Sequence, residues 1–113
     1  MILKYNNETE ELLARGGTFD ITGTNAVTNK QFYGFDADAG TVLSAIKGVA
    51  IGTAVTTLAA ITSAEVDISA LLLTTVTDPL LAKFYRVDGY IITYIKLTSG
   101  TLHCYKTKAQ ITE

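Results

Sequence analysis

The chain has 113 residues, the length of a single domain. Apolar residues make up 48% and charged residues 18%, against the usual charged share of about 25%; this argues against disorder and fits a monomer with a Thr-rich surface or, preferably, a subunit that hides area against partners. A formal net charge of -2, with Lys and Arg scattered rather than clustered, gives no electrostatic basis for nucleic-acid binding, and a single cysteine excludes an intrachain disulfide or a multi-thiolate metal site.

Residues 1–17 read as an N-terminal arm. Their apolar start gives way at once to polar and acidic residues, so no secretory signal is expected. Asn7-x-x-Glu10 forms a capping box ahead of Leu12 and Leu13, with Gly16 as a stop, which specifies a helix of about two turns. An arm or a strand that reaches a neighbour fits equally well. Elsewhere, Thr, Lys or Asp breaks each apolar stretch well short of about 18 residues, so no membrane span is expected. The expected location is a cytoplasm, or a particle assembled in one.

Residues 18–113 read as one β-rich domain. Thr18–Thr22 alternates, with Phe19 and Ile21 on one face, and Gly23-Thr24-Asn25 ends it. Gln31–Phe35 is a short aromatic segment in which strict alternation opposes Phe32 to Tyr33 and Phe35. Asp36–Gly40 is a turn, with Gly40 at its end. A calcium loop of the EF-hand kind fails there, because Lys47 stands where the twelfth-position Glu is needed.

Thr41–Lys47 fits a strand with Val42 and Ile46 on one face, yet Val42, Ala45, Ile46 and Val49 also fit a helical face; Gly48 and Gly52 favour interruption. Ala54–Ile61 repeats the ambiguity, and Thr56 and Thr57 tip it towards strand. Glu65–Thr77 reads as a strand covered on both faces, or covered by a neighbouring subunit, because Leu71, Leu72 and Leu73 run together. Pro79 cannot serve a central ladder, so Asp78-Pro79 is a turn.

The remainder predicts a meander of Ala82–Val87, Tyr90–Leu97 and Thr101–Lys106, with Asp88-Gly89 and Thr98-Ser99-Gly100 as hairpin loops. The predicted class is all-β: a small antiparallel sandwich or barrel-like domain with a C-terminal meander and a short N-terminal arm.

Chemistry-bearing residues are few. His103 is the single histidine, and on a strand it points away from Cys104 and shares a face with Tyr105, which suits a surface or cross-strand role. Cys104 reads as a buried thiol. Asp36 and Asp38 fall on one side of an extended chain, with Asp20 or Glu65 able to approach, but no apolar pocket or rigid opposition for acid–base work is visible. Tyr33, Tyr85, Tyr90, Tyr94 and Tyr105 suit a stacking platform or, preferably, core and interface anchors. No catalytic residue, metal ligand or cofactor is expected. The residues expected to make interface or surface contacts are Leu12, Leu13, Leu71, Leu72, Leu73, Tyr90, Tyr94 and Tyr105, with Gly40, Pro79, Gly89 and Gly100 defining turns.

The stretch Val87–Tyr105, with Ile95-Lys96-Leu97-Thr98-Ser99-Gly100 closing at Tyr105, resembles the C-terminal ending of small accessory virion proteins of tailed bacteriophages. Those proteins carry an I-x-L-x-S-G segment in a glycine-led strand that turns back into a strand ending in Tyr. Phe35–Thr41 is broadly similar to the middle of the same proteins, and the departure is His103-Cys104, where small apolar residues are more usual. The resemblance implies a sandwich-like head decoration or auxiliary capsid protein, located in the virion and assembled in the host cytoplasm. It also implies a homo-oligomer, a trimer being favoured, in contact with the major capsid protein or other virion proteins. A head-to-tail connector or tail component is the structural alternative. A small carbohydrate-binding β-module is the alternative of another class, favoured if tyrosines cluster, exposed, beside Asp or Asn.

Overall fold

The structure, a computed structural model, describes residues 17–72 and 78–107. Seven strands form an antiparallel sheet: β1 (Thr18–Thr22), β2 (Phe32–Ala37), β3 (Val42–Ala50), β4 (Val66–Asp67), β5 (Phe84–Tyr85), β6 (Tyr90–Ser99) and β7 (Thr101–Lys106). Two short helices, α1 (Leu58–Ala64) and α2 (Ser69–Leu72), lie between β3 and β5 in the chain. The sheet order is β1-β7-β2-β6-β3-β4, with β5 paired to β2. The sheet curls into a half-barrel, and its seam is the narrow join between β2 and β6, paired at Phe32 and Ile92. The segment before β2 extends that seam, since the amide N–H of Val27 donates to the Ile95 carbonyl and that of Ile95 to the Val27 carbonyl.

The all-β class is as expected, but the pairing of the last strands is not. β6 and β7 follow each other through Gly100, yet β7 lies between β1 and β2 while β6 lies between β2 and β3. The Ser99-Gly100 turn is a corner that carries the chain from one side of the curl to the other, not a hairpin loop. The strand leading into β6 is also shorter than expected, confined to Phe84–Tyr85 and bonded to β2.

Inside the curl lies the main core of Ile21, Phe32, Phe35, Leu43, Ile46, Ile68, Leu80, Ile92, Ile95, Leu97, Leu102 and Cys104, with others. Each fully buried large apolar side chain contributes about 1.5–3 kcal/mol. The opposite face of β3 and β6 carries a second cluster, Val49, Val55, Ile61 and Ile91, roofed by α1. Cover on both faces explains why β6 lacks clean alternation in sequence.

Four bulges complete that explanation. The register slips at Tyr33 in β2, at Ser44 in β3, and at Thr93 and Thr98 in β6. Tyr33, Ser44 and Thr93 each return the following side chains to the core one position late. Phe32 and Phe35 therefore both point inward, correcting the opposition that strict alternation assigned them, and so do Leu43 with Ile46 and Ile92 with Ile95. β3 also runs unbroken through Gly48, where interruption was expected.

Two further expectations give way. Ala54–Ile61 is not a strand: Thr57 caps α1, its hydroxyl accepting from the Ala60 amide at 3.1 Å. A Thr that favours extended backbone by propensity serves here as the extended residue before a helix. Glu65–Thr77 is not one long strand either. β4 lasts two residues, Ile68 drops into the core, and Asp67 Oδ1 accepts from the Ser69 amide at 2.9 Å to start α2. Residues 73–77 lie outside the described residues.

Candidate functional site

The outer face of β1, β7, β2 and β5 carries the polar chemistry. The β1–β7 register sets Phe19 against Cys104 and Ile21 against Leu102 facing inward, so Thr18, Asp20 and Thr22 face outward beside Tyr105, His103 and Thr101. On the other side of β7, Asp36 stands against His103 and Gly34 against Tyr105, and Asp36 in turn faces Phe84 of β5. One row across four strands therefore reads Asp20, His103, Asp36, Phe84.

His103 is gripped from both sides. Its Nδ1 lies 3.0 Å from Asp20 Oδ1 and its Nε2 lies 3.2 Å from Asp38 Oδ1, just beyond the end of β2. The hydrogen bond with Asp20 raises the imidazole above its ordinary value of 6.5, against desolvation as the next largest influence; the hydrogen bond with Asp38 adds to the rise. Because the two carboxylates address opposite ring nitrogens, they cannot converge with the ring on one ion. The arrangement holds a proton. Among the described residues, no group of three or more His, Cys, Asp or Glu is placed to hold a metal ion.

Tyr105 donates its hydroxyl to Asp36 Oδ2. That hydrogen bond, with burial and the negative charges of Asp36 and Asp20, pushes its phenol up to about 12. Its ring stacks on Tyr33 at 6.0 Å and meets Phe84 at 5.9 Å. The Phe84 ring lies over Gly34, where an added Cβ would come within 2.9 Å of Phe84 Cε1 and 2.8 Å of the Tyr85 carbonyl. The bare glycine is what lets this aromatic ring reach the row of acids.

Other anticipated contact residues are dispersed. Tyr94 is half-buried, with Lys47 Nζ 4.9 Å from its ring centroid. Tyr90 packs against the main core and borders a shallow depression of about 120 Å³ with Tyr33, Ile51 and the Arg86–Gly89 turn. That volume is well below the roughly 300–1,000 Å³ of small-ligand sites. Tyr85 stacks on Phe35 at 5.6 Å. Leu72 packs on the main core, whereas Leu71 is 61% exposed. Leu12, Leu13 and Leu73 lie outside the described residues. Gly40 and Gly89 each take φ of 84°, and Gly100 takes 97°; Pro79 is exposed just before Leu80, whose N–H donates to the Thr41 carbonyl at 2.7 Å.

Cys104 is buried in the core on the face opposite His103, and burial raises its thiol far above its ordinary range. Glu65 does not join the acidic row; its Oε2 accepts from the buried Thr93 hydroxyl at 2.6 Å. The coupling of His103 to Asp20 and Asp38, and of Tyr105 to Asp36, escaped the sequence because it depends on cross-strand register. The signal available was parity: Asp20, Asp36 and Asp38 sit on the polar side of their segments, as His103 does.

No family model matches this chain, and its comparison with curated proteins and with solved structures gives no match.

Proposed function

We propose that this protein is a structural component of a tailed-bacteriophage particle, a head decoration or auxiliary capsid protein located in the virion. It associates with copies of itself, a trimer being the favoured number, and with the major capsid protein. The sequence support is the Ile95–Gly100 segment closing at Tyr105. The observation that carries the reading is where large apolar side chains are left open: Val66 on the edge strand β4 and Leu71 in α2 after it, and Leu81 ahead of β5 with Phe84 on it. In a chain with 18% charged residues, apolar side chains at open sheet edges suit burial between subunits. Many such modest contacts, summed over a lattice, stabilise a shell by mass action.

The test is light scattering at several concentrations, followed by co-sedimentation with undecorated shells of the cognate major capsid protein. A discrete, concentration-stable trimer that binds shells saturably is expected. A persistent monomer that stays in the supernatant overturns the reading.

A different observation favours the sugar-binding alternative: Phe84 and Tyr105 sit partly open on a face that also carries Asp20, Asp36, Asp38 and His103. Aromatic rings beside acidic acceptors suit stacking on, and hydrogen bonding to, a sugar ring. Amide NMR titration with simple saccharides decides it. Shifts confined to Asp36, Phe84, His103 and Tyr105 support a carbohydrate module, and unchanged spectra remove it.

A further inference from the structure

We propose that His103 is a proton-controlled fastener of the edge strand β1, so that pH sets how firmly β1 covers the outer edge of β7. Strand β1 stands at the end of the sheet order, and its pairing partner is β7, from Thr18 against Tyr105 to Thr22 against Thr101. A five-residue strand at an edge is held by few backbone bonds, so a side-chain contact across the pair weighs heavily. The Asp20–His103 contact is that cross-strand contact, and Asp38 anchors the other side of the ring.

The geometry is that of imidazolium. Both ring nitrogens lie within hydrogen-bond distance of a carboxylate oxygen, and only the doubly protonated ring donates to both. A neutral ring donates to one and turns a lone pair towards the other. The remaining groups that face this cluster are Asp36, the cross-strand neighbour of His103 on β2, and Tyr105 on β7, whose hydroxyl is given to Asp36. The nearby lysines point elsewhere: Lys106 Nζ lies over the Phe19 ring and Lys83 Nζ over the Tyr85 ring. Protonated His103 is thus a cation that offsets the carboxylates of Asp20 and Asp38.

When the proton leaves, the ring can donate to only one of Asp20 and Asp38, and neither faces a charged partner any longer. The contact then holds β1 less firmly. Because the folded-state imidazole titrates above its ordinary 6.5, the stabilisation is complete below that pH and disappears as pH rises through the raised value. Loosening β1 frees the N–H and C=O groups of β7 that it covers, and a freed sheet edge is a pairing surface for another strand.

The single histidine makes the experiment clean. The imidazole Hε1 resonance is followed by NMR against pH, and hydrogen exchange of the Phe19–Thr22 amides, corrected for intrinsic rates, is measured at about pH 5.5 and about pH 8.5. We expect an apparent pKa above 6.5 and protection of β1 several-fold higher at the lower pH. H103N should abolish that difference, D20N and D38N should each lower the histidine pKa, and about 1 M salt should shrink the effect. The proposal is overturned by a pKa at or below 6.5, by pH-independent protection of β1 in the wild type, or by the same pH dependence in H103N. If H103N fails to fold, the D20N and D38N titrations decide alone.

Discussion

Gly100 is pressed onto Thr41: a Cβ on Gly100 would lie 2.6 Å from the Thr41 Cα, with the turn held at a φ of 97°. Thr41, fully buried, bonds back to the same corner. Its hydroxyl accepts from the Thr101 amide at 3.2 Å and donates to the Asp38 carbonyl at 2.8 Å, with the Thr101 carbonyl at 3.1 Å. The start of β3 and the β6–β7 corner are therefore a single packed unit. This unit takes the chain from one side of the curl to the other and leaves β7 beside β1 and β2.

G100A is expected to destabilise the domain by about 2–4 kcal/mol, a left-handed penalty plus overpacking against backbone that cannot yield. Thermal melting should show Tm lower by roughly 10–20 °C. G89A supplies the comparison: Gly89 has a similar φ of 84° but nothing near its missing Cβ, so its loss should be about 1–2 kcal/mol. Equal losses would show that contact with Thr41 is unimportant. T41V should cost about 1–3 kcal/mol by removing the acceptor of the Thr101 amide.

Parity was legible in the sequence wherever strands are regular and hidden wherever they bulge. β1, with Phe19 and Ile21 inward, is regular and was read correctly. In β2, β3 and β6, the extra residues Tyr33, Ser44 and Thr93 turn a period of two into pairs three apart, such as Leu43 with Ile46. That spacing is also the spacing of a helical face, which is why Thr41–Lys47 read equally well as helix. The corner at Gly100 imitated a hairpin because a turn sequence specifies a reversal, not which strands become partners. The polar row on the outer face was half legible: His103 and Tyr105 share a face by parity, but their aspartates arrive from β1 and β2 only through pairing.

Thr93 is itself a bulge residue, and its buried hydroxyl depends on Glu65. E65A leaves that donor without its acceptor and should cost about 1–3 kcal/mol in urea unfolding. The Glu65 amide, which donates to the Ile61 carbonyl at 3.0 Å to close α1, is untouched by the substitution. Pairing E65A with T93V should therefore cost clearly less than the sum of the two single losses. Strict additivity would mean that the contact carries no coupling.

Tyr105 should ionise late, at about 12. Near-ultraviolet phenolate absorbance against pH should resolve this late step, which Y105F removes and D36N moves back towards the ordinary value of 10. The hydrogen bond favours the neutral phenol in the folded chain. Its contribution to stability is complete below pH 10 and falls away as pH climbs towards 12. A late step that survives in D36N would assign the shift to burial instead of to Asp36.

If subunits meet through the open sheet edges, charge placed there should separate them without unfolding them. Leu71 is 61% and Leu81 65% exposed, so L71D and L81D should change monomer stability by no more than about 0.5 kcal/mol. The Leu81 amide donates to the Tyr85 hydroxyl at 2.9 Å through the backbone, a contact the substitution leaves in place. Buried between copies, each new carboxylate would instead carry an uncompensated desolvation cost of several kcal/mol, enough to shift a micromolar association beyond detection. Light scattering should then report a lower mass for at least one variant, with an unchanged circular dichroism spectrum. Wild-type mass in both would place the contact away from these leucines and leave the outer face of β1, β7, β2 and β5 as the surface to probe next.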